Sequence, residues 1–205
     1  MGGFYMAKDF YAAIKDRRTR YAISKESTVS DERIQEVVKH ALLHAPSAFN
    51  NQGARVVVLF GENHNKFWDE TKEILRKITP EEQFRTSTEG RINSFRGGYG
   101  TVLFFDDTAV TEAMQKNFPF FKDQFPVWAQ QANGMLQYIV WSSLEIEGLG
   151  ASLQHYAPLV DDMVRKNWNV PETWKLIAQM PFGKPVASPD EKQFNPLEER
   201  FKVFK

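Results

Sequence analysis

The 205-residue chain contains no cysteine, which excludes disulfides, thiolate metal sites, cysteine nucleophiles and thiol redox relays and fits a reducing compartment. It also lacks an excess of charge, because 26 lysine and arginine residues balance 26 aspartate and glutamate residues. No overall electrostatic field therefore draws the chain to nucleic acid or to an anionic membrane surface. Any partner must be recognised by a local site.

The sequence has no apolar run near the ~18 residues of a membrane span and no N-terminal apolar segment typical of a signal peptide. We therefore expect a cytoplasmic protein that crosses no membrane. Aromatic residues are plentiful, with 17 Phe, 6 Tyr and 5 Trp, so the chain can fill a core and still place aromatic side chains in pockets or interfaces. This length predicts a single α/β domain over residues 1–205.

Familiar catalytic and metal-binding motifs are missing as well. His40 and His44 are four residues apart but lack the glutamate of a His-Glu-x-x-His motif, so we expect surface or capping roles for the four histidines. There is no Gly-x-Ser-x-Gly elbow of a serine hydrolase. The segment 96–101 is rich in glycine, but it lacks the Gly-Lys-Ser/Thr end of a phosphate loop and predicts a turn before a strand. We expect no metal and no catalytic side chain.

The spacing of apolar residues predicts three main helices. A short amphipathic helix covers residues 8–17, and a second helix is capped by Ser30 and should stop at Pro46. The longest candidate, 124–148, has a broad apolar face and should be a central buried helix. Residues 62–95 have a helical pattern in their first half and then become polar and loop-like.

Short runs rich in β-branched and aromatic residues predict the strands. Residues 55–60 and 101–105 are apolar on both faces, as strands covered on both sides would be. Residues 174–180 predict a further strand, followed by a turn at 181–183. The tail 201–205 alternates apolar with basic residues, which is typical of a strand.

The segment Arg17-Arg18-Thr19-Arg20 follows the first helix and could bind a phosphate monoester. Guanidinium groups match phosphate oxygens bidentately, and a threonine hydroxyl supplies a further donor. The alternative is a basic run that complements the helix dipole and faces solvent.

Two other segments could contact a flat heterocycle. The loop Pro46–Gln52 places amides and a hydroxyl beside Phe49, although ordinary loops also collect such residues. After the long helix, the small residues from Gly148 to Ser152 would let the backbone approach a planar ring closely. A glycine that stops the helix before a strand explains the same residues.

The order of these segments, closed by Arg-x-Lys near the C-terminus, resembles the FMN-dependent nitroreductase family over nearly the whole chain. More narrowly, residues 17–22, 98–105 and 153–156 are similar to the subgroup that includes the yeast fatty-acid-repression proteins and their bacterial relatives. The resemblance implies an α+β fold, an α/β sandwich with a central, mostly antiparallel sheet flanked by helices. It also implies a homodimer with flavin sites at the interface.

Carried over to this sequence, the resemblance implies three sets of FMN-binding residues. One set holds the phosphate and ribityl chain, one lines the flavin partly from the partner subunit, and one lies against the isoalloxazine ring. They are, in that order, Arg17, Arg18 and Thr19 with Arg200 and Lys202; Ser47, Asn50 and Gln52; and Leu149, Gly150, Ala151 and Ser152. Phe49, Phe125 and Trp128 either line the substrate space or belong to the core.

The activity that the resemblance implies is a ping-pong cycle. NADH or NADPH reduces FMN by hydride transfer and leaves, and a small oxidised acceptor such as a nitroaromatic or a quinone then takes its place. The alternative is an FMN-binding sensor or regulatory protein with weak turnover.

Overall fold

A five-stranded antiparallel sheet with helices on both faces makes up residues 8–205, the part of the chain that the computed structural model describes. This architecture confirms the predicted α+β fold. The long last strand, β5, pairs with β3 over most of its length and with both β1 and β4 near its end, and β2 completes the other edge. The strands are β1 (Ile23–Ser24), β2 (Ala54–Phe60), β3 (Gly100–Asp107), β4 (Gly150–Ala151) and β5 (Trp174–Pro185).

Helices connect the strands and form the outer layers. A π-helical segment, Phe84–Thr88, joins α4 to α5, and single turns of 3₁₀-helix lie at Ala48–Asn50, Pro119–Phe121 and Leu197–Glu199. No helix within residues 8–205 is long and apolar enough to cross a membrane. The helices are α1 (Phe10–Asp16), α2 (Asp31–His44), α3 (Gly61–Ile78), α4 (Glu81–Gln83), α5 (Glu89–Arg96), α6 (Thr108–Asn117), α7 (Phe125–Ile146) and α8 (Asp161–Trp168).

The central strand β3 separates two hydrophobic cores. Successive side chains of a strand point to opposite faces, so Val102 and Phe104 enter one core and Leu103 and Phe105 enter the other. The core beneath α3, α5 and α8 defines what we name the α3 face, and the core beneath α2 and α7 defines the α7 face. Burial on both sides explains why β3 is apolar from Val102 to Phe105.

The structure confirms the predicted start and end of α2 and the predicted long helix α7. The Ser30 side chain accepts a hydrogen bond from the Arg33 amide at 3.2 Å, which confirms it as the cap of α2, and α2 ends before Pro46. The central helix α7 is confirmed too, because it buries ten side chains between its two ends.

Three predictions of local structure were wrong. The stretch after Ile78, predicted to be loop-like, is helical through α4 and α5, because Ile92 and Phe95 reach the core from an otherwise polar sequence. The predicted turn at 181–183 continues as strand β5. The tail 201–205 forms no strand: it is exposed and pairs with no strand of residues 8–205.

His64 is buried within α3, contrary to the predicted surface or capping role. Its Nε2 lies 3.1 Å from the Arg96 carbonyl, which can only accept, so Nε2 carries the proton. Its Nδ1, 2.8 Å from the Thr101 hydroxyl, is then the acceptor, and that hydroxyl in turn accepts from the Trp68 indole at 2.9 Å. Burial is the main cause that lowers the pKa of His64 to about 4, so the ring is neutral.

Candidate functional site

Two of the predicted ligand-binding segments lie side by side, although most of the chain separates them in sequence. Thr19 pairs with Ala151 in a parallel bridge, and the Arg20 amide donates to the Ala151 carbonyl at 2.9 Å. Gly150 is required for this contact, because a Cβ atom there would lie 2.9 Å from the Cβ and Cγ atoms of Arg20. The segment 17–20 therefore borders β4 on the side away from β5.

The segment from Leu149 to Ser152 presents mainly its backbone. The side chains of Leu149 and Ala151 belong to the core of the α7 face, and Ser152 is fully buried. The Ser152 amide donates to the Pro181 carbonyl at 3.2 Å, which anchors the segment to β5. A ligand beside this segment would meet a fixed and flat main chain, as small residues allow.

The arginines of the segment 17–20 keep their positive charge uncompensated. Five other arginines form ion pairs with carboxylates, whereas no carboxylate of residues 8–205 pairs with Arg17, Arg18 or Arg20. The Nε atoms of Arg17 and Arg20 are buried without a hydrogen-bond partner in the described chain. Buried polar atoms normally find partners, so these donors fit an anionic ligand such as a phosphate.

A cavity of about 320 Å³ opens beside this segment, lined by residues 18–22 and 187–190. Two backbone carbonyls at its rim hold arginine side chains: Arg18 donates to Asp190 at 2.7 Å and Arg20 donates to Ala187 at 3.4 Å. Carbonyls position a guanidinium group without neutralising its charge. The cavity therefore combines positive charge with room for a phosphate group.

The loop Ser47–Gln52 is held in an unusual backbone conformation. Phe49, Asn50 and Gln52 have φ values of 56°, 51° and 51°, in the left-handed region that side chains other than glycine seldom adopt. The Ser47 hydroxyl accepts from the Gln52 amide at 3.0 Å, so it stabilises the loop itself. The side chains of Asn50 and Gln52 are exposed. Such strain is typical of segments that place side chains for binding.

Two cavities flank this loop where it packs on α7. One, of about 450 Å³, is bordered by Ser47 and Gln52, and the other, of about 250 Å³, is bordered by Phe49 and Trp128. Both reach Ala132 of α7. The loop thus lies between two mainly apolar openings, which suits a flat organic ligand.

Phe49 forms the centre of an aromatic cluster. Its ring centre lies 4.7 Å from that of Phe118, 5.6 Å from Phe125, 6.1 Å from Phe121 and 6.2 Å from Trp128. Phe125 is buried, whereas Phe49 is 53% exposed. The sequence singled out three members of this cluster and missed Phe118 and Phe121, whose signal is the aromatic run just before α7.

One buried carboxyl lies beneath the same loop. Asp106 accepts from the Thr111 hydroxyl at 3.2 Å and lies close under Gly53. Burial is the main cause that raises the pKa of Asp106 above its usual range. Asp106 borders neither of the two cavities that flank the loop.

Not all predicted site residues come together in one chain. The loop packs near Ala132 and the arginine segment near Trp141, about 13 Å further along the axis of α7. Arg200 and Lys202 lie in an exposed tail and form no ion pair or side-chain hydrogen bond within residues 8–205. No group of three or more His, Asp or Glu side chains in the described chain is placed to hold a metal ion.

Comparison with known proteins gives consistent matches. A sequence profile described as the nitroreductase family matches residues 14–184. Among curated proteins of Saccharomyces cerevisiae, HBN1 is 38% identical over 182 residues, which span 87% of this chain and 89% of HBN1. The yeast nitroreductase FRM2 is 34% identical over 188 residues, 91% of this chain and 93% of FRM2.

A solved structure shows the same fold at similar identity. Nitroreductase CinD from Lactococcus lactis, in complex with chloramphenicol, superposes with a TM-score of 0.88 at 38% identity, over 96% of this chain and 100% of CinD. CinD in complex with 4-nitrophenol superposes with a TM-score of 0.85, at the same identity and coverage.

Proposed function

The chain belongs to the nitroreductase family, and from that premise we propose that it is an FMN-dependent NAD(P)H oxidoreductase. Its acceptors would be nitroaromatics, quinones or similar small oxidised molecules. One observation carries the proposal: a segment with three arginines that have no carboxylate partner within residues 8–205 pairs through Thr19 with the glycine-containing strand β4. A phosphate at one end and a planar ring at the other are the two parts of FMN that such a surface fits.

The residues present fit FMN. Arg17, Arg18 and Thr19 would hold the phosphate and ribityl chain, because guanidinium groups bind phosphate oxygens through paired hydrogen bonds. The backbone from Leu149 to Ser152 would lie against the isoalloxazine ring. When bound, FMN supplies the hydride chemistry, and we assign no side chain of the protein as a proton donor or base.

The same arrangement supports a homodimer. The loop Ser47–Gln52 is too far along α7 to meet the arginine segment of its own chain, so a second copy would bring the two together. Apolar side chains that a lone chain leaves exposed agree with this, including Met135 on α7 and Phe204 in the tail, which is 91% exposed. In a symmetric dimer the tail would also carry Arg200 and Lys202 to the partner.

The aromatic cluster around Phe49 would receive the acceptor. Aromatic rings offer large apolar faces for a flat molecule. Two members of the cluster, Phe49 and Trp128, border the smaller cavity, and Phe49 is the more exposed of the two. CinD, which shares 38% of its sequence with this chain, has been solved with chloramphenicol and with 4-nitrophenol, both nitroaromatics. These complexes support the same class of acceptor for this chain.

Purified protein titrated with FMN provides the first test. We expect quenching of flavin fluorescence at one FMN per chain, and a dimer by sedimentation. Protein without uptake of FMN would show that the proposal is wrong.

Turnover is tested next by oxidation of NADH and of NADPH, each with 4-nitrophenol or a quinone and each without acceptor. Acceptor-dependent oxidation supports the enzyme. A protein that holds FMN but stays inert with every pair would instead favour the sensor or regulatory alternative.

A further inference from the structure

The guanidinium group of Arg17 lies on aromatic side chains of α7. Its Cζ atom is 4.5 Å from the ring centre of Trp141 and 5.9 Å from that of Tyr138. These residues are three positions apart on a helix, so both rings point from the same side of α7. An arginine over a tryptophan face is a cation–π contact, and tryptophan provides the strongest such surface.

Within residues 8–205, no ion pair or side-chain hydrogen bond fixes this side chain. Arg17 has no ion pair in the described chain, and its Nε is buried without a hydrogen-bond partner. By contrast, Arg33 on α2 is held by Glu147 at 2.7 Å. A carboxylate would hold a guanidinium group firmly but would also neutralise its charge, whereas an aromatic ring holds it and leaves the charge free.

The backbone around Arg17 is anchored separately. Its amide donates to the Ala13 carbonyl at 2.9 Å and so ends α1. At the start of α1, the Lys8 ammonium lies 2.8 Å from the buried Glu145 carboxylate of α7, and this hydrogen bond is the main cause that raises the pKa of Lys8. The start of α1 is thus fixed on α7 and the chain after it on Ala151 of β4, so only the direction of the Arg17 side chain is left to the rings.

We propose that Trp141, assisted by Tyr138, positions Arg17 for the phosphate of FMN. The inference rests on the proposed function and goes beyond it, because it assigns a role to a residue that need not touch the cofactor. Trp141 is a positioning residue: it keeps the guanidinium group in one place before the phosphate arrives and leaves its charge uncompensated. Preorganisation of this kind raises affinity by lowering the entropy lost on binding.

The direct test compares FMN with riboflavin, which has the same ring and ribityl chain but no phosphate. Trp141→Met keeps much of the volume and removes the ring. We expect FMN to bind about tenfold more weakly, about 1.4 kcal/mol, and riboflavin to change by less than about twofold. Trp141→Phe keeps an aromatic face and should restore FMN binding to within about threefold of the wild type.

A double-mutant cycle shows whether Trp141 acts through Arg17. In an Arg17→Ala background the ring has no guanidinium group to hold, so Trp141→Met should cause no further loss of FMN affinity. If the two losses instead add in full, or if riboflavin weakens as much as FMN, the proposal is wrong and Trp141 only supports packing.

Two controls keep the test decisive. Thermal unfolding by circular dichroism checks that each variant is folded. If Trp141→Met does not fold, Tyr138→Leu serves instead, because the Tyr138 side chain is 37% exposed. Tyr138→Leu should weaken FMN binding by about twofold to threefold and leave riboflavin binding unchanged. Wild-type protein that fails to bind FMN refutes the proposed function, whereas wild-type binding with no effect in either variant refutes only the role of Trp141.

Discussion

The two faces of the sheet differ in what their helices leave open. On the α3 face Phe67, Trp68 and Phe95 are fully buried, and α3 exposes a large apolar side chain only at its last residue, Ile78. On the α7 face the outer helices keep Tyr11, Leu43, Met135 and other apolar side chains exposed. The comparison indicates that the α3 face stabilises the fold, whereas the α7 face leaves apolar surface that the proposed dimer would cover.

Replacing one tryptophan on each face with alanine tests this difference most strongly. Trp68→Ala should lower the free energy of unfolding by about 3 to 5 kcal/mol, because it leaves a cavity in a closed core and removes the indole donor to the Thr101 hydroxyl. Trp128→Ala, at a half-buried side chain on the α7 face, should lower the free energy of unfolding by only about 1 to 2 kcal/mol. Urea denaturation measures both, and equal losses would contradict the division of roles.

Acid should weaken the α3 face through His64. Its folded pKa, about 4, lies below the ordinary value of 6.5, so the unfolded chain binds the proton more readily. The contribution of His64 to the free energy of unfolding is fully present above pH 6.5. It is lost as the pH drops from 6.5 to 4, by up to about 3 kcal/mol.

The matched variant is His64→Gln, which cannot take up a proton in this range. We expect it to be less stable at pH 7 and to lose less stability than the wild type between pH 6.5 and 4. Parallel curves from urea denaturation at each pH would contradict the assignment of a neutral buried ring.

Left-handed residues allow a comparison at nearly equal backbone geometry. Gln52 has a φ of 51° in the loop on the α7 face, and Asn169 has a φ of 50° at the end of α8 on the α3 face. Replacing either with glycine should raise the free energy of unfolding by about 0.5 to 1 kcal/mol. Only Gln52→Gly should also weaken FMN binding, as fluorescence titration would show; a similar loss in Asn169→Gly would contradict this.

The smallest effect should come from a surface ion pair of the α3 face. Arg96 lies 2.7 Å from Asp69, with both side chains at least a third exposed. Arg96→Ala should cost about 0.5 kcal/mol, and the cost should shrink in high salt. FMN affinity should not change, in contrast with Arg17→Ala. A loss of FMN binding in Arg96→Ala would place the ligand on the wrong face.

The sequence predicted the elements whose pattern is strong and local. The cap at Ser30, the long apolar face of α7 and the apolar run of β3 each depend on neighbouring residues, and each was found as expected. The helix α5 was missed because only Ile92 and Phe95 of its eight residues are buried. The tail at 201–205 has the alternation of a strand, but alternation alone supplies no edge to pair with.

The candidate site was only partly accessible from the sequence. Family resemblance pointed to Arg17, Thr19 and Ala151; the structure pairs Thr19 with Ala151, but contact of these residues with FMN stays a prediction. No local pattern could show that Arg20 needs Gly150, because that contact depends on long-range pairing. Nor could it show that Arg17 is held by Trp141, since an arginine run looks the same whether or not a ring lies beneath it.

The bridge between Thr19 and Ala151 also determines when, during synthesis of the chain, the site around it can form. Residues 17–20 leave the ribosome early, whereas β4 is made much later and is itself fixed by Phe182 of β5. At about 5 to 20 residues per second, the arginine segment waits on the order of ten seconds for its main-chain partner. A ligand that needs both segments can therefore bind only after β5 has been made, and a chain cut short before β5 would lack this site.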